Sequence, residues 1–141
     1  MILRLKLPLS FLPLPWLAGS VPAGFPSPAA DDAESRLDLN AHLIRRPAAT
    51  FIVRVAGDSM TGAGVHDGDL AIVDRSIEPR PGHVVVAVLD GELALKRLAR
   101  RGGRTFLESA NPAYPPIEVG ADAELRIWGV VTATIHRLEP E

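Results

Sequence analysis

Short apolar runs, separated by turn residues, recur along the chain after residue 50. The runs are rich in β-branched residues, and their lengths suit strands rather than helices. Strands are therefore predicted at residues 51–56, 69–75, 83–90, 92–98, 104–108 and 125–136. Turns are predicted between them at Asp67-Gly68, 79–82, Asp90-Gly91, 101–103 and Asn111-Pro112. This pattern, with almost no helix, predicts a mostly β domain whose strands curl into a compact, barrel-like body.

The chain before residue 50 has a different composition. Residues 24–36 are rich in Pro, Ala and Asp and are predicted as a linker, because proline favours polyproline and turn conformations. Asp38 or Asn40 can cap a short helix over residues 41–46, which ends before the next proline. The predicted organisation is thus an arm at residues 1–23, a linker and short helix at 24–50, and a β-rich domain at 51–141.

The arm at residues 1–23 is apolar and allows two interpretations. Two positive charges, an apolar run and the small residues Ala18 and Ala23 are compatible with a secretory signal peptide. However, Pro8, Pro13 and Pro15 break any helix there, and the apolar run is too short to span a bilayer. We therefore expect an extended, flexible arm that can add as a strand to a sheet edge. A signal peptide is the alternative.

The composition of the chain argues against several classes of function. The 141 residues suffice for one domain with a single core. The net charge of −2 provides no basic surface for nucleic acid, so direct binding of DNA or RNA is not expected. The chain contains no cysteine, which excludes a disulfide scaffold, a thiolate nucleophile and a zinc–thiolate site. This composition is compatible with a cytoplasmic protein that has no membrane association.

A candidate nucleophile, Ser59, lies in the segment Gly57-Asp58-Ser59-Met60, directly after the first predicted strand of the β-rich domain. A small hydroxyl residue beside a glycine, at the end of a strand, can be exposed to a substrate and approached by its backbone. The same segment also fits an ordinary turn in which the serine bonds its own backbone. The segment alone leaves both possibilities open.

Lys96, in the strand predicted at residues 92–98, is the candidate base. Period-2 alternation puts it on one face with Ala94 and Leu98. If that face is inward, burial lowers the lysine pKa and provides a neutral amine that can accept a proton. A serine paired with such a lysine is a known variant of the hydrolytic triad. The other face also carries leucines, so alternation does not decide which face is inward.

Other constellations are weaker. The potential metal ligands in this part of the chain are His66, Asp67, Asp69 and Asp74. No ligand spacing recurs among them, so neither a metal nor a cofactor is expected. His83 and His136 have no evident carboxylate partner, and a Ser-His-Asp triad is therefore not expected.

Taken in order, these motifs resemble the LexA/UmuD family of self-cleaving serine peptidases. The matching motifs are Ser59 within Gly-Asp-Ser-Met, then Gly68-Asp69-Leu70, Ile72-Val73-Asp74, Asp90-Gly91 and Lys96. The UmuD branch of the family is indicated by Gly24-Phe25-Pro26-Ser27-Pro28-Ala29-Ala30-Asp31 and by Arg36-Leu37-Asp38-Leu39-Asn40. The resemblance spans residues 21–136.

The resemblance implies a compact, β-barrel-like peptidase domain with a flexible N-terminal arm. It implies that Ser59 is the nucleophile, that Lys96 is the base, and that the chain cuts itself between Ala23 and Gly24. We expect the backbone N–H groups of Asp58 and Ser59 to donate hydrogen bonds to the oxyanion.

The resemblance also implies a cellular role. Cleavage would be triggered by a RecA–single-stranded DNA filament after DNA damage, in the SOS response. The shortened form would be a homodimer that serves a UmuC-like, error-prone translesion polymerase. The alternatives are a non-enzymatic β-domain that only binds a protein partner, and an exported protein with a signal peptide. A LexA-type repressor and a membrane-anchored signal peptidase are not expected, because residues 1–50 suit neither a helical DNA-binding domain nor a membrane anchor.

Overall fold

The computed structural model describes residues 3–4, 10–17, 20–21 and 34–139. The strands in these ranges are β1 (Leu3–Arg4), β2 (Pro13–Leu17), β3 (Glu34–Asp38), β4 (Thr50–Arg54), β5 (Leu70–Asp74), β6 (Val84–Leu89), β7 (Glu92–Arg101), β8 (Arg104–Glu108), β9 (Ile117–Val119) and β10 (Leu125–Ile135). The helical elements are α1 (Leu39–Leu43) and two short 3₁₀ helices at Pro47–Ala49 and Thr61–Ala63. The predicted mostly β class is confirmed. Within the described ranges, no helix is long and apolar enough to cross a membrane.

The chain forms two compact units, one of residues 8–45 and one of residues 1–7 with 46–141. In the larger unit, eight strands form an antiparallel sheet in the order β1-β4-β5-β10-β6-β7-β8-β9. Every strand predicted after residue 50 is present, with small shifts at the ends, and β9 is an additional strand that was not predicted. Among the described residues, the ladder runs from β1 to β9 without closing into a barrel.

The smaller unit contains a two-stranded sheet and α1. Strands β2 and β3 pair antiparallel, with Pro13 opposite Asp38 and Leu17 opposite Glu34. The prolines of β2 are tolerated because both strands of such a sheet are edges, where an N–H group is not always needed. The extended conformation expected for the arm holds at β2, while residues 34–36, predicted as linker, lie in β3.

Helix α1 begins and ends earlier than the predicted range of 41–46. Asp38, rather than Asn40, is the N-cap, and its Oδ1 accepts a hydrogen bond from the Asn40 N–H at 3.1 Å. The backbone of Ile44 is already extended, so the helix ends at Leu43. Asp38 was one of the two predicted caps, but the predicted range of 41–46 follows the other, Asn40, whereas the helix starts directly after Asp38.

The larger unit is packed on both faces of its sheet. One buried cluster contains Phe51, Val55, Met60, Val65, Ala71, Val73 and Val86. A second contains Val85, Ala87, Leu98, Leu107 and Val130. Strand β6 contributes to both clusters, because successive side chains of a strand point to opposite faces. This explains why β6 is almost uniformly apolar rather than alternating.

The hairpin between β6 and β7 sets the register that matters for function. Asp90 and Gly91 both have positive φ angles, 48° and 83°, as a two-residue type I′ turn requires. The predicted hairpin is therefore confirmed. Its register puts Lys96 directly opposite Val85, which is fully buried in the second cluster.

Candidate active site

Ser59 and Lys96, the two residues singled out from the sequence, line one pocket of about 310 Å³. The pocket walls come from residues 53–57 and 59–60, from Val86, and from residues 93–96. The first group is the end of β4 with the loop that follows it, and the last belongs to β7. The fold therefore brings a strand-end serine and a strand lysine to the same cavity, although 36 other residues separate them in the chain.

The Ser59 loop is held on both sides. Gly57 turns the chain with a φ of 91°, and its N–H donates to Asp67 Oδ1 at 2.7 Å. Met60 is buried in the first cluster, and the carbonyl of Ser59 accepts a hydrogen bond from Ala110 N at 2.8 Å. These contacts leave Ser59 half-buried between an exposed Asp58 and a buried methionine.

Two backbone N–H groups of this loop are available for a ligand. Within the described ranges, the N–H groups of Asp58 and Ser59 donate to no protein acceptor. Asp58 instead uses its carbonyl, which accepts from Thr61 and from the side chain of Asn111. Free N–H groups beside a nucleophile are what an oxyanion hole requires.

Lys96 is half-buried on a face that is largely inward. Its cross-strand neighbour Val85 is fully buried, and Leu98, on the same face, is 7% exposed. Leu95, on the other face, packs against the first cluster, so both faces of β7 are partly covered. Alternation could not select one inward face because each face of β7 packs against one of the two clusters.

The surroundings of Lys96 favour its neutral form. Burial lowers the pKa of the Lys96 amine, because removal from water penalises the ammonium. No carboxylate in the described part of the chain lies within 4.0 Å of Nζ. Nζ also lies 5.5 Å from the centroid of the Tyr114 ring, a contact that favours the charged form and partly opposes burial.

The hydrogen-bond partner of Lys96 is a residue that the sequence analysis missed. Nζ lies 2.6 Å from Oγ of Ser109, and no hydrogen bond joins it to Ser59 among the described residues. A sequence signal for Ser109 did exist in the turn Gly102-Gly103. A two-residue turn there pairs Arg101 with Arg104, and continuing that register puts position 109 opposite 96.

The segment from Ser109 to Tyr114, which we call the bridging loop, contacts Asp58 as well. Asn111 Nδ2 donates to the Asp58 carbonyl at 2.8 Å, and the Tyr114 hydroxyl donates to Asp58 Oδ1 at 2.6 Å. The hydrogen bond to Asp58, followed by the charge of that carboxylate, raises the pKa of Tyr114. Asp58 is therefore an anchor for the bridging loop in addition to its place beside Ser59.

The expectation that His136 has no carboxylate partner is wrong. Its Nδ1 lies 2.5 Å from Asp69 Oδ1, and its ring lies 4.8 Å from the ring of His66. The hydrogen bond from the His66 N–H lowers the Asp69 pKa most; burial opposes it, and His136 lowers it further. The sequence could not reveal this pair because Asp69 and His136 are 67 residues apart. Neither residue lines the pocket with Ser59.

Asp67 and Asp74, the other two carboxylates considered as metal ligands, have separate partners. Asp67 accepts from Gly57, and Asp74 pairs with Arg46 and Ser76. His83 accepts a hydrogen bond from the Arg80 N–H through Nδ1 at 3.1 Å. In the described part of the chain, no three His, Asp or Glu side chains are grouped so that they could hold a metal ion.

The predicted cleavage site, Ala23-Gly24, lies outside the described residues, as do large parts of the arm at residues 1–23. Its position relative to Ser59 therefore stays a prediction.

Comparison with known proteins matches residues 15–132 to the Peptidase S24-like family. The chain is 55% identical to the protein SamA of Salmonella typhimurium over 82% of this chain and 80% of SamA. It is 48% identical to the protein ImpA of Escherichia coli over 87% of this chain and 83% of ImpA. It is also 42% identical to the LexA repressor of Dechloromonas aromatica, over 85% of this chain and 60% of that repressor. The chain belongs to the Peptidase S24-like family, as a UmuD-type member of its LexA/UmuD group, the self-cleaving peptidases of SOS mutagenesis.

Proposed function

We propose that this chain cuts its own backbone between Ala23 and Gly24, with Ser59 as the nucleophile and Lys96 as the general base. The shared pocket of Ser59 and Lys96 is the observation that carries the proposal. A lysine can act as a base only when it is neutral, and burial lowers the pKa of Lys96 in that pocket. The absence of a nearby carboxylate in the described ranges supports the same role, since a carboxylate would stabilise the ammonium.

In the proposed reaction, Nζ of Lys96 takes the proton from Ser59 Oγ as that oxygen attacks the carbonyl carbon of Ala23. The C–N bond between Ala23 and Gly24 then breaks, and Lys96 returns the proton to the Gly24 nitrogen. Ala23 is left as an ester on Ser59. Water hydrolyses this ester with Lys96 again as the base, and the remaining chain begins at Gly24.

The oxyanion of the tetrahedral intermediate is assigned to the N–H groups of Asp58 and Ser59. Both groups are free of protein acceptors in the described part of the chain, which supports the assignment. Preorganised donors of this kind stabilise charge as it develops and need no reorganisation during the reaction.

The missing hydrogen bond between Ser59 and Lys96 is compatible with this mechanism. Catalytic hydrogen bonds are often long in the absence of substrate and shorten when the peptide is bound. The Lys96 side chain has four rotatable bonds, so small rotations move Nζ within the pocket. The approach of the scissile peptide would complete the alignment.

The family match begins at residue 15, ahead of Ala23-Gly24. This supports treating the cleavage segment as part of the peptidase rather than as a secretory signal. A non-enzymatic β-domain is not favoured either, because the chain belongs to a peptidase family.

We also propose the cellular role that UmuD-type proteins have. Self-cleavage would be triggered by a RecA–single-stranded DNA filament in the cytoplasm. The product starting at Gly24 would form a homodimer and serve a UmuC-like translesion polymerase. Equilibrium sedimentation of that product tests the homodimer, and a monomer at micromolar concentration would contradict it.

The decisive experiment is to incubate the purified chain at alkaline pH, and separately with activated RecA filament, and to sequence the N-terminus of the product. One stable fragment that begins at Gly24 is expected, and none from Ser59→Ala. A fragment beginning at Gly19 would instead indicate signal-peptide processing. Any other first residue, or a cut in the Ser59→Ala chain, would contradict the proposal.

A further inference from the structure

Ser109 lies where it can control the direction of the Lys96 amine. Its Oγ is 2.6 Å from Nζ, and both side chains are half-buried. The contact follows from the sheet, because β7 and β8 pair Arg97 with Glu108, and the next position of that register sets Ser109 opposite Lys96. Directly opposed residues of antiparallel strands share a face and are close neighbours.

The rest of the bridging loop ties Ser109 to the nucleophile. Ala110, the next residue, donates its N–H to the carbonyl of Ser59 at 2.8 Å and accepts from Gly62 N at 2.6 Å. Gly62 is packed so closely that an added Cβ would lie 2.5 Å from the Ala110 oxygen. The hydroxyl that holds the lysine is therefore attached, within one residue, to the loop that holds the serine.

A hydroxyl is well suited to orient a lysine that must lose its proton. A neutral amine has two N–H donors and one lone pair, and it rotates freely about its last bond unless a partner holds it. If Ser109 Oγ accepts one N–H, the lone pair is directed away from Ser109 and can face the nucleophile. A carboxylate in the same place would bind the amine more strongly but would keep it protonated.

We propose that Ser109 is a positioning residue for Lys96, which holds the neutral amine with its lone pair toward Ser59. This inference rests on the proposed self-cleavage by Ser59 and Lys96. Ser109 itself takes no proton and forms no bond with the substrate.

The test is the first-order rate of self-cleavage of the full chain without any partner, measured from neutral to strongly alkaline pH. The comparison is made on the plateau, where Lys96 is neutral in every variant and differences in its pKa no longer matter. We expect Ser109→Ala to lower the plateau rate roughly 10- to 100-fold, as misplacement of a catalytic group does. Ser109→Thr keeps the hydroxyl and should restore most of the rate.

Thr105→Ala is the matched control. It removes a hydroxyl from β8, the strand that leads into the bridging loop, and Thr105 is paired with Arg100 rather than with Lys96. Its plateau rate should equal that of the unmodified chain. The inference is overturned if Ser109→Ala cuts at the unmodified plateau rate, or if Ser109→Thr loses as much rate as Ser109→Ala.

A second measurement is independent of cleavage. In the Ser59→Ala chain, the titration of Lys96 is followed by NMR of its Cε carbon, with and without Ser109→Ala. Because Ser109 accepts a hydrogen bond from the ammonium, its removal should lower the midpoint by roughly 0.5 pH unit. An unchanged midpoint would overturn the inference even if the chain cuts itself. A chain that never yields the Gly24 fragment, although the midpoint moves, would instead contradict the proposed function.

Discussion

Lys96 and Asp74 are both ionisable groups in the interior of the larger unit, and they are surrounded in opposite ways. The Asp74 carboxylate accepts from Arg46 at 3.0 Å, from Ser76 N at 2.8 Å and from Ser76 Oγ at 2.6 Å. The Lys96 amine has one neutral hydroxyl, that of Ser109, within hydrogen-bond distance. The charge of Asp74 is therefore compensated by its partners, whereas the charge of Lys96 has only a neutral hydroxyl beside it.

The two pKa values move for different reasons. Burial raises the pKa of Asp74, but the hydrogen bonds from Ser76 and Arg46 together outweigh it and hold the pKa below its ordinary value. At Lys96, burial outweighs the nearby Tyr114 ring and the Ser109 hydroxyl and lowers the pKa. Asp74 therefore keeps its charge and stabilises the fold, while Lys96 moves toward the neutral form that chemistry needs. A half-buried amine whose hydrogen-bond partner is neutral indicates a reactive group, and a buried carboxylate with a cationic partner indicates a structural one.

The largest effect is expected when the charge at position 96 is made permanent. Lys96→Arg should lower the rate of self-cleavage by at least about 10³-fold, because a guanidinium does not release its proton near neutral pH. The appearance of the Gly24 fragment over time measures the loss. Arg97→Lys, at the next position of β7 and outside the pocket, is the control and should cut normally. If Lys96→Arg cuts at a normal rate, Lys96 is not the base.

The pH dependence of cleavage tests the same difference without mutation. Only neutral Lys96 is active, so the rate should rise about tenfold per pH unit below the lysine pKa and level off above it. Because burial lowers that pKa, the plateau should begin below the 10.5 of an ordinary lysine. Rates measured without a partner, from neutral to strongly alkaline pH, give the curve. A flat curve, or one that rises near pH 6–7, would indicate a different base.

At the compensated site, the expected effect is on stability rather than on cleavage. Asp74→Asn should lower the free energy of unfolding at pH 7 by about 1–3 kcal/mol, because it weakens charge-assisted hydrogen bonds to a buried group. The folded pKa of Asp74 is below its unfolded value, so this contribution is present above the unfolded value of about 4 and is lost as the pH falls through the folded one. Urea unfolding of the unmodified chain and of Asp74→Asn, at pH 7 and at pH 3, measures the loss of unfolding free energy at each pH. An equal loss at the two pH values would contradict the assignment.

The smallest expected effect concerns stability at position 96. Lys96→Met removes a half-buried amine but keeps the length of the side chain, so it should raise the free energy of unfolding at pH 7 by roughly 0.5 kcal/mol, after allowance for solvent around the amine. The pKa of Lys96 is lower in the folded state than in the unfolded state, so the unfolded state binds the proton more tightly. Below the folded pKa, the charged lysine therefore lowers the stability of the fold. The gain should disappear above about pH 10.5, where the lysine is neutral in both states. A Lys96→Met chain that is less stable than the unmodified chain at pH 7 would contradict this prediction.

The strands of the larger unit and the β6–β7 hairpin could be identified from local patterns, whereas Ser59 and Lys96 were only candidates on those patterns and took their roles from the family resemblance. Apolar runs of strand length, the Asp90-Gly91 turn and the Gly-Asp-Ser-Met segment each depend on a few adjacent residues. Backbone geometry and sterics act at that range, so these features are encoded locally. The error at α1, in the smaller unit, is also local: the helix starts directly after Asp38, one of the two predicted caps, and not at residue 41.

The mostly β class, the β6–β7 hairpin and, through the family resemblance, Ser59 and Lys96 were therefore predictable from the sequence. The partners of these side chains depend on the three-dimensional fold: Ser109 for Lys96, Tyr114 for Asp58 and Asp69 for His136. These pairs are separated by 13, 56 and 67 residues, and they form only where the sheet and its loops bring them together. Alternation puts a side chain on a face, but the strands packed against that face determine whether it is buried, what it bonds and which way its pKa moves.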